Sequence, residues 1–126
     1  MKAKTNLTML CDFYELTMAN GYFQTGLKDR ICYFDVFYRS VPDKGGFSIA
    51  AGLAQVVEYI QDLTFDEEDV EYLRGKGCFS EEFLQYLLHF EFTGDIWAVP
   101  EGTPVFPGEP ILTVRAPAIQ AQFVET

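Results

Sequence analysis

The change of hydrophobic pattern at Gly94 constrains the fold of this chain more than any other feature. Helical spacing of apolar residues dominates residues 53–90, whereas short strand-like segments joined by proline and glycine turns occupy residues 95–115. Pro104, Pro107 and Pro110 are unfavourable in a regular central ladder, because proline lacks a backbone donor. We therefore expect an edge hairpin or a small sandwich in this part, packed on helices.

The residues around Tyr14 predict the first helix. Asp12 is a good N-cap and Glu15 follows three residues later, which is the spacing of a reciprocal capping box, so the helix should begin at Phe13. Tyr14 then lies in the first turn, where unpaired amides and the positive end of the dipole favour an anionic ligand beside an aromatic ring. A tyrosine that only packs is an equally complete explanation of the pattern.

Three further helices are predicted before the strand-rich part. The first carries apolar residues at helical spacing, namely Leu53, Val56, Val57, Ile60 and Leu63. Asp66 and Ser80 are the predicted N-caps of the other two. His89 is the only histidine and lies near the end of the last of them, where a cation suits the dipole. We therefore expect neither a histidine-based metal site nor a Ser-His-Asp triad.

Residues 31–39 predict a strand with two different faces. Cys32, Phe34, Val36 and Tyr38 form an apolar side, while the other side alternates between aromatic and charged residues and ends at Arg39. The second side is where a functional surface is expected. The loop that follows, residues 42–46, contains paired glycines but lacks the spacing of a nucleotide-binding loop.

Charge and composition exclude several classes of protein. The 126 residues are 48% apolar, enough for one core and one domain, and the formal net charge of −10 argues against a general nucleic-acid binder. No apolar stretch approaches the roughly 20 residues of a membrane span, and no signal peptide is evident, so we expect a cytoplasmic protein. The three cysteines fit neither a disulfide framework nor a zinc site, and we expect three buried thiols.

The last ten residues suggest that the sequence is a fragment. Pro117 suits the first turn of a helix, and the chain stops at Thr126 in the middle of that segment without a stop signal. We expect one domain over residues 1–126, in which Pro117 to Thr126 start a connecting helix. The fold class is α+β, with helices packed on a short, partly antiparallel sheet.

Five stretches of the chain carry a family resemblance. They are DFYELTMANGY (residues 12–22), FDVFYR (34–39), GGFSIAAGL (45–53), FTGD (92–95) and PEGTPVFP (100–107). In this order they resemble the N-terminal domain of nicotinate phosphoribosyltransferase, a type II phosphoribosyltransferase. Cys11 departs from the threonine that the family commonly has before the aspartate, which puts little in doubt.

The resemblance implies an enzymatic activity in which this chain would bind substrate rather than carry out the reaction. The full-length enzyme would join nicotinate to 5-phosphoribosyl 1-diphosphate, with coupled ATP hydrolysis and Mg²⁺, to give nicotinate mononucleotide and diphosphate in NAD salvage. Catalysis would lie in an α/β barrel that this chain lacks, so the fragment alone should be inactive. Within a homodimer, Tyr14 would cover the pyridine ring held by the partner subunit, Arg39 would contact phosphate, and Asp12 is a weaker substrate-binding candidate.

Two other classes of protein are compatible with parts of the pattern. Residues 94–115 also look like a half-barrel of the biotinyl or lipoyl carrier type, but no lysine follows Lys76 to serve as the attachment point. A stand-alone interaction domain without catalysis is the other alternative.

Overall fold

The computed structural model describes residues 6–126, which form five α-helices, five strands and one 3-10 turn. The helices are α1 (Phe13–Gln24), α2 (Leu53–Gln61), α3 (Glu67–Arg74), α4 (Glu81–Leu87) and α5 (Ala118–Phe123), and the 3-10 turn is Pro42–Lys44. The strands are β1 (Ile31–Val36), β2 (Ser48–Ile49), β3 (Asp95–Ala98), β4 (Pro104–Val105) and β5 (Leu112–Pro117). The expected α+β class is confirmed.

The main sheet has three antiparallel strands in the order β1-β5-β3, and β2 pairs with β4 in a second, two-stranded sheet. The expectation of only an edge hairpin or small sandwich after Gly94 is wrong, because β5 is the central strand of the main sheet. Pro104, Pro107 and Pro110 all precede β5. Every residue of β5 before Pro117 therefore has a backbone N–H group that can donate to a neighbouring strand. Pro117 is extended and caps α5, so the helix begins one residue later than predicted.

Helix α1 begins at Phe13 as predicted, but without the predicted capping box. The Asp12 side chain makes no capping hydrogen bond, and the Glu15 amide donates to the Asp12 main-chain oxygen at 3.0 Å. Glu15 is fully buried instead of reaching back to the N-cap. The physical reason is that α1 packs on α5, which recruits this side chain into the interior.

The predicted caps of α3 and α4 are confirmed. The Asp66 carboxylate accepts from the Asp69 amide at 2.9 Å, and the Ser80 hydroxyl accepts from the Phe83 amide at 3.3 Å. Each such cap contributes about 1 kcal/mol to helix stability. In α2 the predicted stripe is shorter than expected, since the helix ends at Gln61 and Val57 is 40% exposed.

The core lies between the helices and extends onto the inner face of the main sheet. Helix α5 is buried along its whole length and packs against α1 and β5. Apolar residues from α1, α3, α4, α5 and the connecting segments fill the larger cluster: Leu16, Ala19, Leu63, Phe65, Val70, Leu73, Phe83, Leu84, Leu87, Phe90, Ile119 and Phe123. Burial of each large side chain contributes about 1.5–3 kcal/mol. This core fixes the end of α5 against the start of α1.

Two sequence expectations concern the surroundings of this core. Cys11 and Cys32 are only half-buried and Cys78, in the segment before α4, is exposed, so the expectation of three buried thiols is wrong. Over residues 6–126, none of the helices has the length and apolar character needed to cross a bilayer.

Candidate functional site

Tyr14 lies in the first turn of α1 and is 45% exposed. Its hydroxyl donates a hydrogen bond of 2.8 Å to Oε1 of Glu125, which follows α5. This hydrogen bond is the main reason that the pKa of Tyr14 rises to about 12, with burial and nearby carboxylates as smaller causes. The phenol is thus neutral and held at one end, while a large part of the side chain faces solvent.

Glu125 is positioned by the end of α5. Its amide donates to the Gln122 carbonyl oxygen at 3.2 Å, and the Gln122 side-chain amide donates to Oε2 of Glu125 at 2.6 Å. Gln122 is only 2% exposed, because it lies on the buried helix. Both carboxylate oxygens of Glu125 therefore have a donor. Sequence reasoning missed this residue, since 111 positions separate it from Tyr14 and no local pattern marks the contact.

Glu15 is the second acidic group beside Tyr14, and it is buried in the interior. One carboxylate oxygen contacts the Thr126 hydroxyl, and the other has no hydrogen-bond partner among the described residues. Burial raises the pKa of Glu15, and the charges of Glu125 and Asp12 raise it further. The protonated form of this side chain is therefore favoured relative to an exposed glutamate.

Asp12 is exposed, and its carboxylate makes no hydrogen bond within residues 6–126. The capping hydrogen bond that the sequence predicts for the Asp12 side chain is therefore not formed. Asp12, Glu15 and Glu125 all raise the pKa of Tyr14 through their charge, so the potential around the phenol is negative. This weakens the expectation that the helix dipole alone attracts an anion here, and an anionic ligand needs a cation nearby.

Arg39 supplies such a cation three residues after β1 ends. It lines a surface cavity of about 380 Å³ together with Phe37, Val124 and Glu125. The preceding residue is fixed by two hydrogen bonds, because the Tyr38 hydroxyl donates to the Val105 carbonyl oxygen at 2.6 Å and the Gly108 amide donates to the Tyr38 carbonyl oxygen at 2.9 Å. Glu125 links the two predicted site residues, since it accepts the hydrogen bond of Tyr14 and also lines the cavity of Arg39.

A second, mostly apolar cavity of about 320 Å³ lies between α2 and the main sheet. It shares Val124 and Glu125 with the cavity of Arg39. At its other end Oε1 of Glu101 accepts from the amides of Gly52 and Ala54 at 3.0 and 3.3 Å. The start of α2 is thus already capped by a carboxylate, which leaves Arg39 as the better location for an anion.

The described part of the chain, residues 6–126, contains no group of three or more histidine, cysteine, aspartate or glutamate side chains placed to hold a metal ion. We therefore assign no Mg²⁺ ligand to these residues. His89 is exposed, and its Nδ1 lies 3.0 Å from the Gln85 carbonyl oxygen at the end of α4, in agreement with a structural role.

The fold is that of the first part of a pyridine phosphoribosyltransferase. It matches the crystal structure of human nicotinic acid phosphoribosyltransferase with a TM-score of 0.83 and 32% identity, over 90% of this chain and 23% of that one. The family model described as the nicotinate phosphoribosyltransferase N-terminal domain matches residues 9–126. The chain therefore belongs to this family.

Two curated relatives give the same result from sequence. A nicotinate phosphoribosyltransferase of Mycobacterium tuberculosis is 48% identical over 94% of this chain and 25% of its own length. That of Bacillus subtilis is 35% identical over 96% of this chain and 25% of its own length. The chain spans about a quarter of the length of these relatives. The comparisons support the enzyme interpretation and give no support to a carrier or a stand-alone interaction domain.

Proposed function

We propose that this chain forms the substrate-covering part of an enzyme that joins nicotinate to 5-phosphoribosyl 1-diphosphate. The products would be nicotinate mononucleotide and diphosphate, in NAD salvage. The observation that carries this proposal is the half-exposed side chain of Tyr14, whose hydroxyl is hydrogen-bonded to Glu125 at the cavity of Arg39, in a chain of this family.

Tyr14 is the proposed contact with the pyridine ring. Within residues 6–126 its ring stacks on no other aromatic side chain, although such pairs are frequent elsewhere in the core. A flat ring on the surface gains contact energy when a second aromatic ring covers it. We propose that this second ring is nicotinate bound in the partner subunit of a homodimer, with its carboxylate directed away from Asp12 and Glu125.

Arg39 is the proposed contact with phosphate of the ribosyl donor. Its side chain is exposed and forms no ion pair with any residue in the described range 6–126. Guanidinium supplies forked, permanently charged donors that match phosphate oxygens. Asp12, whose carboxylate is free of the helix, is proposed as a further acceptor toward substrate.

The chemistry at the anomeric carbon depends on the departure of diphosphate and on the position of the ring nitrogen. Positioning and neutralisation of charge therefore dominate over proton transfer. Tyr14 would orient the ring and Arg39 would neutralise phosphate, while the reacting groups would come from the barrel. ATP hydrolysis with Mg²⁺ is proposed to use residues outside this chain, and a cytoplasmic location is proposed from the metabolic role.

Two variants of the full-length enzyme test this proposal against each other. Tyr14→Ala should raise the KM for nicotinate roughly 2- to 13-fold, the range that corresponds to one lost aromatic pair, and leave the KM for the ribosyl donor unchanged. Arg39→Ala should raise the KM for the ribosyl donor by about tenfold or more and leave the KM for nicotinate unchanged, because a charge-assisted contact to phosphate is removed. Steady-state kinetics with each substrate varied in turn measures both.

Each variant serves as the control for the other. A general defect of folding or assembly would raise both constants in both variants. Equal effects on the two substrates, or an unchanged KM for nicotinate in Tyr14→Ala, would contradict the assigned roles.

A further inference from the structure

We propose that Glu125 is a positioning residue that fixes the orientation of the Tyr14 ring for nicotinate. This inference rests on the proposed role of Tyr14 as the cover of the pyridine ring. It adds a residue that neither the motifs nor the comparisons assign. The contact that carries it is the 2.8 Å hydrogen bond from the Tyr14 hydroxyl to Oε1 of Glu125.

The first step of the argument concerns the freedom of Tyr14. A tyrosine that is 45% exposed in the first turn of a helix has several accessible rotamers, and ordering it when a ligand binds costs conformational entropy. A hydrogen bond at the far end of the ring removes that freedom in advance, because the hydroxyl and the backbone then fix both ends of the side chain. The ring is thereby preorganised without any contact at its exposed face.

The second step concerns the rigidity of Glu125 itself. Glu125 is exposed, but its carboxylate is held in place because Oε2 accepts a 2.6 Å hydrogen bond from Gln122. Gln122 is 2% exposed on α5, a helix buried between α1 and β5. Two successive hydrogen bonds, from Gln122 to Glu125 and from Tyr14 to Glu125, thus connect the exposed ring to the core. Both are charge-assisted because their acceptor is a carboxylate.

The third step concerns the location of Glu125. The residue also lines the cavity that contains Arg39. Each of its carboxylate oxygens already accepts a hydrogen bond from the chain, and its negative charge disfavours direct contact with the carboxylate of nicotinate or with a phosphate group. Glu125 therefore acts through Tyr14 rather than on substrate.

Five variants of the full-length enzyme test this inference. Tyr14→Phe removes the hydroxyl group and keeps the aromatic ring. Glu125→Ala removes the carboxylate that accepts from this hydroxyl, and the double variant combines the two changes. Glu125→Gln keeps an oxygen that accepts from the phenol, and Gln122 can rotate its amide to donate or accept. Glu82→Ala, an exposed glutamate on α4, is the matched control. The measurements are kcat and the KM of each substrate, with the thermal midpoint of every variant.

We expect Tyr14→Phe and Glu125→Ala to raise the KM for nicotinate by similar factors, roughly 2- to 10-fold, with kcat and the KM for the ribosyl donor unchanged. The KM for nicotinate of the double variant should be no higher than that of either single variant, because both changes remove the same hydrogen bond. Glu125→Gln should recover most of the loss, and Glu82→Ala should match the unaltered enzyme.

The inference is overturned if the effects of Tyr14→Phe and Glu125→Ala on the KM for nicotinate multiply in the double variant. It is also overturned if Glu125→Ala lowers kcat and raises both KM values together, as a loss of packing would. If Tyr14→Ala raises the KM for nicotinate while Tyr14→Phe and Glu125→Ala leave it unchanged, the ring contact stands and the positioning role fails. If Tyr14→Ala has no effect, the proposed function itself fails, and the positioning role fails with it.

Discussion

At the scale of single residues, Glu15 has the most unusual environment in the described chain. Its position three residues after Asp12 is typical of a helix cap, yet the carboxyl group is fully buried with one oxygen unpartnered. A buried carboxylate is costly unless it is protonated or paired. The stability of the domain should therefore depend on the protonation of this one group.

We expect Glu15→Gln to reduce the pH dependence of unfolding. The pKa of Glu15 is raised above its ordinary value of 4.5, so the folded state binds the proton more tightly than the unfolded state. The stabilisation by the proton is fully present below pH 4.5 and is lost as the pH rises through the folded pKa. Chemical denaturation of the 126-residue chain at pH 4 and pH 7 should show that the free energy of unfolding falls less between these two pH values in the variant than in the unaltered chain.

The matched comparison is Glu82→Gln, which changes the same charge on an exposed side chain. It should follow the unaltered chain at both pH values. An identical pH dependence in Glu15→Gln and the unaltered chain would show that Glu15 titrates normally in the folded state.

At the scale of secondary-structure elements, the close approach of Gly94, the residue before β3, to strand β5 can be tested by a single substitution. A Cβ atom on Gly94 would lie 2.6 Å from Cβ of Ala116 and 2.7 Å from the Arg115 carbonyl oxygen. Both atoms belong to the central strand, which cannot move without disturbing β1. Glycine is therefore required here for close packing of two backbones.

We expect Gly94→Ala to lower the free energy of unfolding by about 1–3 kcal/mol, the usual range for overpacking. The control is Gly21→Ala, because a Cβ there meets nothing within 4 Å and the residue lies inside α1. That change should be neutral or should stabilise by up to about 1 kcal/mol. Denaturant titration measures both, and equal stability of the Gly94 variant and the unaltered chain would contradict the close approach.

The elements also show what the sequence can and cannot predict. The caps at Asp66 and Ser80 were predictable because donor and acceptor lie within one helical turn. The central place of β5 was not, since its pairing with β1 joins residues about 80 positions apart, and the nearby prolines favoured an edge strand. The failed capping box of α1 has the same origin: contact with α5 decided the position of Glu15.

At the scale of the whole molecule, the candidate site is assembled from the two ends of the chain. The motifs brought Tyr14, Arg39 and Asp12 to attention through family resemblance, whereas Glu125 emerged only from the packing of α5 on α1. Tyr14 is 45% exposed and Arg39 lines a surface cavity, and the chain spans about a quarter of the length of its curated relatives. The proposed site therefore needs a second surface to enclose the ligand.

The central claim is that Tyr14 of one protomer covers a pyridine ring held by its partner. A crystal structure of the full-length protein with nicotinate bound tests this most directly. We expect the Tyr14 ring to lie in contact with the pyridine ring across the subunit interface, with its hydroxyl still bonded to Glu125. A nicotinate molecule bound away from Tyr14, or a Tyr14 ring enclosed within its own subunit, would contradict the account.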